Sequence, residues 1–213
     1  MRGRYDPAMK IRPVDVILLL ALIAGGSFYA THWIAVGGWP EVAWKGAGVA
    51  LLAAWAFASG RPWIGLVLAF GALGDVLLEV AGLSVGALAF MAGHILAAGF
   101  YWQNRTGPVW LAAAVASGVG LASWLLTGNG GVTLYGTWLG VMAGTALTSR
   151  FRLAGLGAVL FVLSDLLIFA QMGPLAASPL PGLLIWPTYF AGQALIAWSV
   201  VRSRNHEDLH DRL

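Results

Sequence analysis

Hydrophobic positions in this chain come in long runs, parted by short stretches rich in Gly, Pro, Asn and Arg. A helix crossing a hydrocarbon core needs about 20 such residues. Hydropathy, turn residues and charge mark out eight spans, at 14–33, 41–58, 62–81, 85–103, 108–127, 131–148, 152–172 and 183–201. Connections such as SGRP, NRTGP and TGNGG leave little room between them, and the weakest break falls around Gly82 and Ser84. The pattern predicts an all-α, polytopic transmembrane helix bundle of eight helices, forming a single integral membrane domain over residues 1–213. The N-terminal MRGRYDPAMKIRPVDVILLLALIAGG has the basic head and apolar stretch of a signal peptide. Its apolar part continues through SFYATHW without a clean cleavage site, so a retained first helix is expected.

Composition agrees with that pattern. The chain is 59% hydrophobic and 10% charged, whereas a soluble domain carries about 25% charged residues. The net charge of +3 comes from scattered basic residues with no basic, aromatic-studded patch, so nucleic acid is not an expected partner. The absence of cysteine removes disulfides, a thiol nucleophile and thiolate metal sites. His206 and His210 stand four apart in the charged tail 202–213, and a solvated tail accounts for them better than a metal pair. No metal and no cofactor is expected.

Of the 12 Lys and Arg residues, all except Lys45 flank the spans on one side. Arg2, Arg4, Lys10 and Arg12 precede the first span. Arg61, Arg105, Arg150 and Arg152 lie in alternate connections, and Arg202, Arg204 and Arg212 follow the last span. The positive-inside rule then places both termini in the cytoplasm, and the compact loops suit a bacterial inner membrane. Trp33, Trp39, Trp44, Trp124 and Trp186 are expected at the outer interface, and Trp63, Trp102 and Trp110 at the inner one.

Against this background, FGALGDVLLEVAG and FVLSDLLIFAQMG place Asp75, Glu79 and Asp165 inside apolar runs. Lys45 and His94 join them, with Tyr189 and Gln193 as uncharged company. An ionisable group within a span costs roughly 2.5–3.5 kcal/mol on insertion scales. With ~1.5 Å of rise per residue, these positions fall into one layer between midplane and outer face. Asp75 and Glu79, Phe90 and His94, and Tyr189 and Gln193 each stand four apart, on one face of their helix. Those faces must point into the bundle. Three carboxylates against one lysine and one histidine leave unmatched negative charge, so at least one acid is expected to keep its proton. A proton-holding acid beside an ionised partner suits acid–base chemistry. The blander reading is a buried ion-pair network holding the helices together.

LGDVLLEVAG resembles LSDLLIFAQMG, and FMAGH resembles YFAGQ. Spans three and four would then correspond to spans seven and eight, within two parallel four-helix repeats related by an axis along the membrane normal.

The ordered motifs resemble those of the YhhN-like lysoplasmalogenase family of eight-helix membrane hydrolases. They are Gly74–Asp75, Phe90 with His94, Ser164–Asp165 within GAVLFVLSDLLIF, and Tyr189 with Gln193 within TYFAGQALIAWS. Lys45 matches a family lysine, although Gly46 follows where the family usually has proline. The resemblance covers all eight spans and implies hydrolysis of the vinyl ether bond of a lysoplasmalogen to fatty aldehyde and glycerophospho-ethanolamine or -choline. On that implication Asp75 and Asp165 are catalytic, one as general acid and the other orienting water, and His94 tunes or relays a proton. Lys45, Tyr189, Gln193, Glu79, Ser164 and Phe90 would contact substrate, with Glu79 resting on spacing alone. The expected partners are a single-chain vinyl ether lysophospholipid and membrane lipid. Oligomeric state is not legible in the chain.

A proton-coupled transporter also uses intramembrane carboxylates, but favours inverted repeats and broken helices. Here the repeat is parallel, and no proline is expected deep in a polar helix. A non-enzymatic lipid-binding protein is the remaining alternative.

Overall fold

The computed structural model describes residues 12–203. These residues form eight α-helices: α1 Asp15–Phe28, α2 Gly38–Ala58, α3 Pro62–Val80, α4 Leu83–Gln103, α5 Val109–Thr127, α6 Gly130–Leu147, α7 Arg152–Met172 and α8 Leu180–Val201. A 3-10 turn, Tyr29–His32, extends α1. With that extension counted, each helix begins and ends within three residues of its expected span. Arg2, Arg4, Lys10, Arg204, Arg212, His206 and His210 lie outside the described residues.

Local chemistry sets the ends. Pro62 occupies the first turn of α3, where its missing N–H takes nothing from the helix. Asn129 caps α6, its side chain accepting from the N–H groups of Gly131 and Val132. The weak break between the third and fourth spans is real. Gly82 turns the chain there with φ +86°, a conformation that a side chain disfavours.

Six helices are long and apolar enough to cross a membrane by length and composition: α1 with its extension, α3, α4, α5, α7 and α8. The protein is therefore a multi-pass membrane protein. Helix α2 carries Glu41 and Lys45, and α6 carries Thr133, Tyr135 and Thr137; both fall below that hydropathy. Each nonetheless lies between more apolar neighbours: α2 against α1, α3 and α8, and α6 against α4, α5 and α7.

That neighbour pattern is itself a repeat. Helix α1 packs on α2 as α5 packs on α6, α2 on α3 as α6 on α7, and α2 on α8 as α6 on α4. The two hairpins α3–α4 and α7–α8 also share a packing register. A β-carbon added at Gly93 would stand 3.4 Å from the carbonyl of Val67 and 3.2 Å from the β-carbon of Phe70. One added at Gly192 would stand 2.7 Å from the carbonyl of Gly157 and 3.5 Å from the β-carbon of Leu160. Val67 and Phe70 precede Asp75 by the same intervals at which Gly157 and Leu160 precede Asp165. Gly93 and Gly192 directly precede His94 and Gln193. Small residues at such crossings let membrane helices approach closely enough to pack without a hydrophobic driving force.

The end of the bundle that holds the start of α1 and the end of α8 is tied by polar contacts. Asp15 accepts from Arg12, Arg202 and Trp55, joining α1, α2 and the end of α8. The α4–α5 and α6–α7 connections pair through Thr106, Gly107 and Thr148 and through Asn104 and Arg150.

Two expectations need correction. Trp186 is not an interface anchor. It is buried against Phe28 and Phe190, and its indole N–H bonds the carbonyl of Gly25, because α8 turns that face toward α1. Trp33, Trp39, Trp124, Trp63, Trp102 and Trp110 are exposed as expected, and Trp44 is half-buried. A proline does lie within a polar helix: Pro187 sits inside α8, two residues before Tyr189. The helix began earlier than expected, at Leu180, which turned a near-terminal proline into an internal one.

Candidate active site

The close packing of α3 builds the site. Gly71 and Gly74 leave the α3 backbone bare on the face that carries Asp75. A β-carbon at Gly74 would fall 2.6 Å from the Phe90 ring, and one at Gly71 would fall 2.7 Å from the side-chain amide of Gln193. The glycine of the Gly74–Asp75 pair therefore admits Phe90, and this brings α4 and α8 within reach of the aspartate.

Asp75, Asp165, His94, Gln193, Tyr189, Ser164 and Phe90 are all buried. The tyrosine hydroxyl of Tyr189 donates to Asp75 Oδ2 at 2.8 Å and receives Gln193 Nε2 at 3.4 Å. On the other side Tyr135 donates to Asp165 Oδ2 at 2.7 Å, and its hydroxyl lies 3.1 Å from His94 Nε2. Two chains result, Asp75–Tyr189–Gln193 and Asp165–Tyr135–His94. Rings fill the space between them. Phe161 lies edge-on to Phe90, His94 and Tyr189, with centroids 6.0, 5.0 and 5.1 Å away.

The two aspartates thus share one buried layer but no hydrogen bond, and each is held by its own tyrosine. Ser164 lies within the layer, yet its hydroxyl is spent on the carbonyl of Ile185 at 3.0 Å, where it fastens α7 to α8. Lys45 and Glu79 pair with one another at the edge of the site. Glu79 is the more exposed partner, with 41% of its side-chain surface open against 18% for Lys45.

A groove of about 430 Å³ opens beside Asp165, between the C-terminal ends of α3 and α7 and the N-terminal ends of α4 and α6. Its walls are almost wholly apolar, including Leu78, Ala87, Met91 and Phe169, while Tyr135 and Asp165 supply polar atoms. Leu88 and Leu134 line it and are exposed on the flank of the bundle, so the groove opens sideways. Its size and character are those of a site for a small apolar molecule with a few convergent polar groups. Asp75 does not line it. Among the described residues no cluster of His, Asp or Glu has the geometry to hold a metal ion.

Residues 41–200 match the family model of the YhhN family. The chain belongs to the YhhN family. Every site residue of this YhhN protein, from Lys45 to Gln193, lies within the matched stretch. Nothing among curated proteins and nothing among solved structures matches the chain.

Tyr135 is the site residue that sequence reasoning missed in this YhhN protein. It stands among Thr, Gly and Trp in α6, with no carboxylate or motif nearby to single it out. Its depth was available: Tyr135 falls about one to two turns from the N-terminal end of α6, and Asp165 about two turns from the C-terminal end of the neighbouring α7. Phe161 escaped for another reason. It reads as ordinary core, and only the assembled bundle shows it wedged between the two chains.

Proposed function

We propose that this protein is an intramembrane hydrolase that cleaves the vinyl ether bond of lysoplasmalogens, releasing fatty aldehyde and a glycerophospho-base. Asp165 at the wall of an apolar, laterally open groove is the observation that carries this reading. Family membership sets the prior, and the groove and the acid supply the chemistry.

Vinyl ethers break when an acid protonates the β-carbon. The resulting oxocarbenium ion takes up water at its α-carbon, and the hemiacetal collapses to aldehyde and alcohol. The reaction requires an acid that keeps its proton at neutral pH, a surrounding that stabilises a passing cation, and water. Asp165 is the proton donor in this scheme. Asp165 is buried, and Tyr135 fixes the orientation of its carboxyl group. Once the proton has left, the Asp165 carboxylate faces the cation. Asp75, off the groove, holds the second proton site and acts through Tyr189 and Gln193. Acyl carbons occupy the groove and the headgroup lies outward, toward Lys45. With the basic loops inward, the groove opens toward the outer leaflet and both ends of the chain are cytoplasmic.

The decisive assay gives purified protein a lysoplasmalogen and, separately, its saturated ether analogue. Aldehyde from the unsaturated lipid alone is expected, because only a vinyl ether can be protonated at carbon. Folded protein that releases aldehyde from neither would overturn the reading, and proton flux in liposomes without product would favour transport.

A further inference from the structure

A second, much smaller cavity of about 20 Å³ lies among α3, α4, α6, α7 and α8, lined by buried residues. One water requires roughly 10–15 Å³ and two to four polar partners. His94, Gln193 and Tyr101 line this space; the rest of its wall is apolar, with Val67, Met142 and Phe161 among the lining residues. Tyr101 is fully buried, and its hydroxyl has no hydrogen-bond partner among the described residues. Buried hydroxyls are nearly always paired with protein or with ordered water.

The sense of the surrounding bonds fixes what is offered to the cavity. Tyr135 gives its proton to Asp165, so His94 Nε2 must carry a proton to bond the Tyr135 oxygen. In the neutral ring Nδ1 is then an acceptor. Gln193 spends Nε2 on Tyr189, which leaves its Oε1 as a second acceptor. Tyr101 brings a donor. Two acceptors and one donor complement a water molecule, which gives two protons and receives at least one.

We propose that this cavity binds one water, held by the Tyr101 hydroxyl, His94 Nδ1 and Gln193 Oε1. Such a water closes the two chains into one. Asp75, Tyr189, Gln193, water, His94, Tyr135 and Asp165 become consecutive members of a hydrogen-bonded path across the bundle. The water donates toward both ends, to His94 Nδ1 and to Gln193 Oε1, so it fixes the tautomer of His94 and, through Tyr135, the orientation in which Asp165 gives its proton and regains one from the water that adds to the oxocarbenium ion. The role of the path in turnover rests on the hydrolase reading; the water site does not. Tyr101 is a positioning residue, acting through the water without touching substrate.

The test uses the full chain in lipid nanodiscs. A wild-type structure at a resolution that shows ordered waters should contain density within hydrogen-bond reach of all three atoms. An empty cavity at that resolution overturns the proposal, whether or not any variant folds. Tyr101→Phe keeps the ring and removes the donor. If the hydroxyl holds a water, the variant loses the density and melts a few degrees lower. If the hydroxyl is truly unpaired, its removal raises the melting temperature, since an orphaned buried polar group is itself destabilising, and the proposal fails. Aldehyde release is a separate readout. The path predicts kcat lower by about tenfold with KM unchanged, at the weak end of proton-transfer effects. Unchanged kcat in a variant that has lost its water would overturn the path.

Discussion

The α3–α4 and α7–α8 hairpins are built to one plan and end in different chemistry. Both cross at a glycine that precedes the polar residue of the second helix, and both carry an aspartate at the same register of the first. Position 189 of α8 is a tyrosine whose hydroxyl reaches across to Asp75. Its counterpart in α4 is Phe90, which has no hydroxyl to offer. Phe90 instead lies on Gly74 and forms part of the groove wall, and Asp165 takes its hydrogen bond from Tyr135 on α6. The repeat supplies two buried acids. The missing hydroxyl at position 90 and the Tyr135 bond from a different helix decide which acid meets an open groove.

That difference predicts unequal consequences for equal substitutions. Asp165→Asn removes the donor at the groove and should lower kcat by ~10²–10⁴-fold, the range for a lost general acid. Asp75→Asn leaves the groove acid in place and should lower kcat by about tenfold, by disturbing the hydrogen-bonded path behind it. Both variants should fold, because asparagine preserves the shape and still accepts the tyrosine hydrogen bond. Equal losses in a single-turnover assay of aldehyde release would break the comparison and mean that both acids act on the substrate directly.

The tyrosines sharpen it further. Tyr135→Phe leaves Asp165 without its hydrogen bond and His94 without a partner for Nε2, and a fall in kcat of about 10–10²-fold is expected. Tyr189→Phe makes position 189 resemble position 90, and its effect should not exceed that of Asp75→Asn. A larger effect from Tyr189→Phe, read in the same assay, would move the reacting centre to the Asp75 side.

The helices were legible in the chain because a bilayer tolerates few alternatives: eight apolar runs had to become helices, and their ends followed Pro62, Asn129 and Gly82. The buried acids were legible for the same reason, since Asp75 and Asp165 have no cheap place among lipid. What could not be read was the pairing. Helical spacing places Tyr189 above Gln193 on one helix, but says nothing about which helix stands opposite, so the tyrosine that holds each aspartate was not legible. The resemblance implied that Ser164 contacts substrate, yet its hydroxyl meets a carbonyl of α8. Trp186 looked like an anchor because tryptophan favours interfaces, until α1 was found packed over it. Tyr135 shows the limit most plainly. Its importance comes wholly from two neighbours distant in sequence.

The groove itself offers a milder test. Ala87 lines it on α4. Ala87→Trp places an indole where acyl carbons are expected, and should raise KM for long-chain substrate by roughly tenfold, about 1.4 kcal/mol of lost binding, with kcat for a short-chain substrate unchanged. The equivalent crowding on the Asp75 side has no groove to fill. An unaltered chain-length profile would remove the groove from the substrate path.

The smallest expected effect concerns the ion pair outside both chains. Lys45 and Glu79 neutralise one another at the edge of the site, with Glu79 well exposed. Such a pair contributes only about 0.2–1 kcal/mol to stability, so neither Lys45→Met nor Glu79→Gln should shift unfolding much. Their effects on KM should differ in sign. If Lys45 receives the phosphate of the substrate, it must first leave Glu79. Lys45→Met then raises KM by about fivefold, equivalent to ~1 kcal/mol. Glu79→Gln releases the lysine beforehand and lowers KM by a smaller factor. Parallel changes in the two variants would mean that the pair only holds α2 to α3, and that the headgroup is received elsewhere.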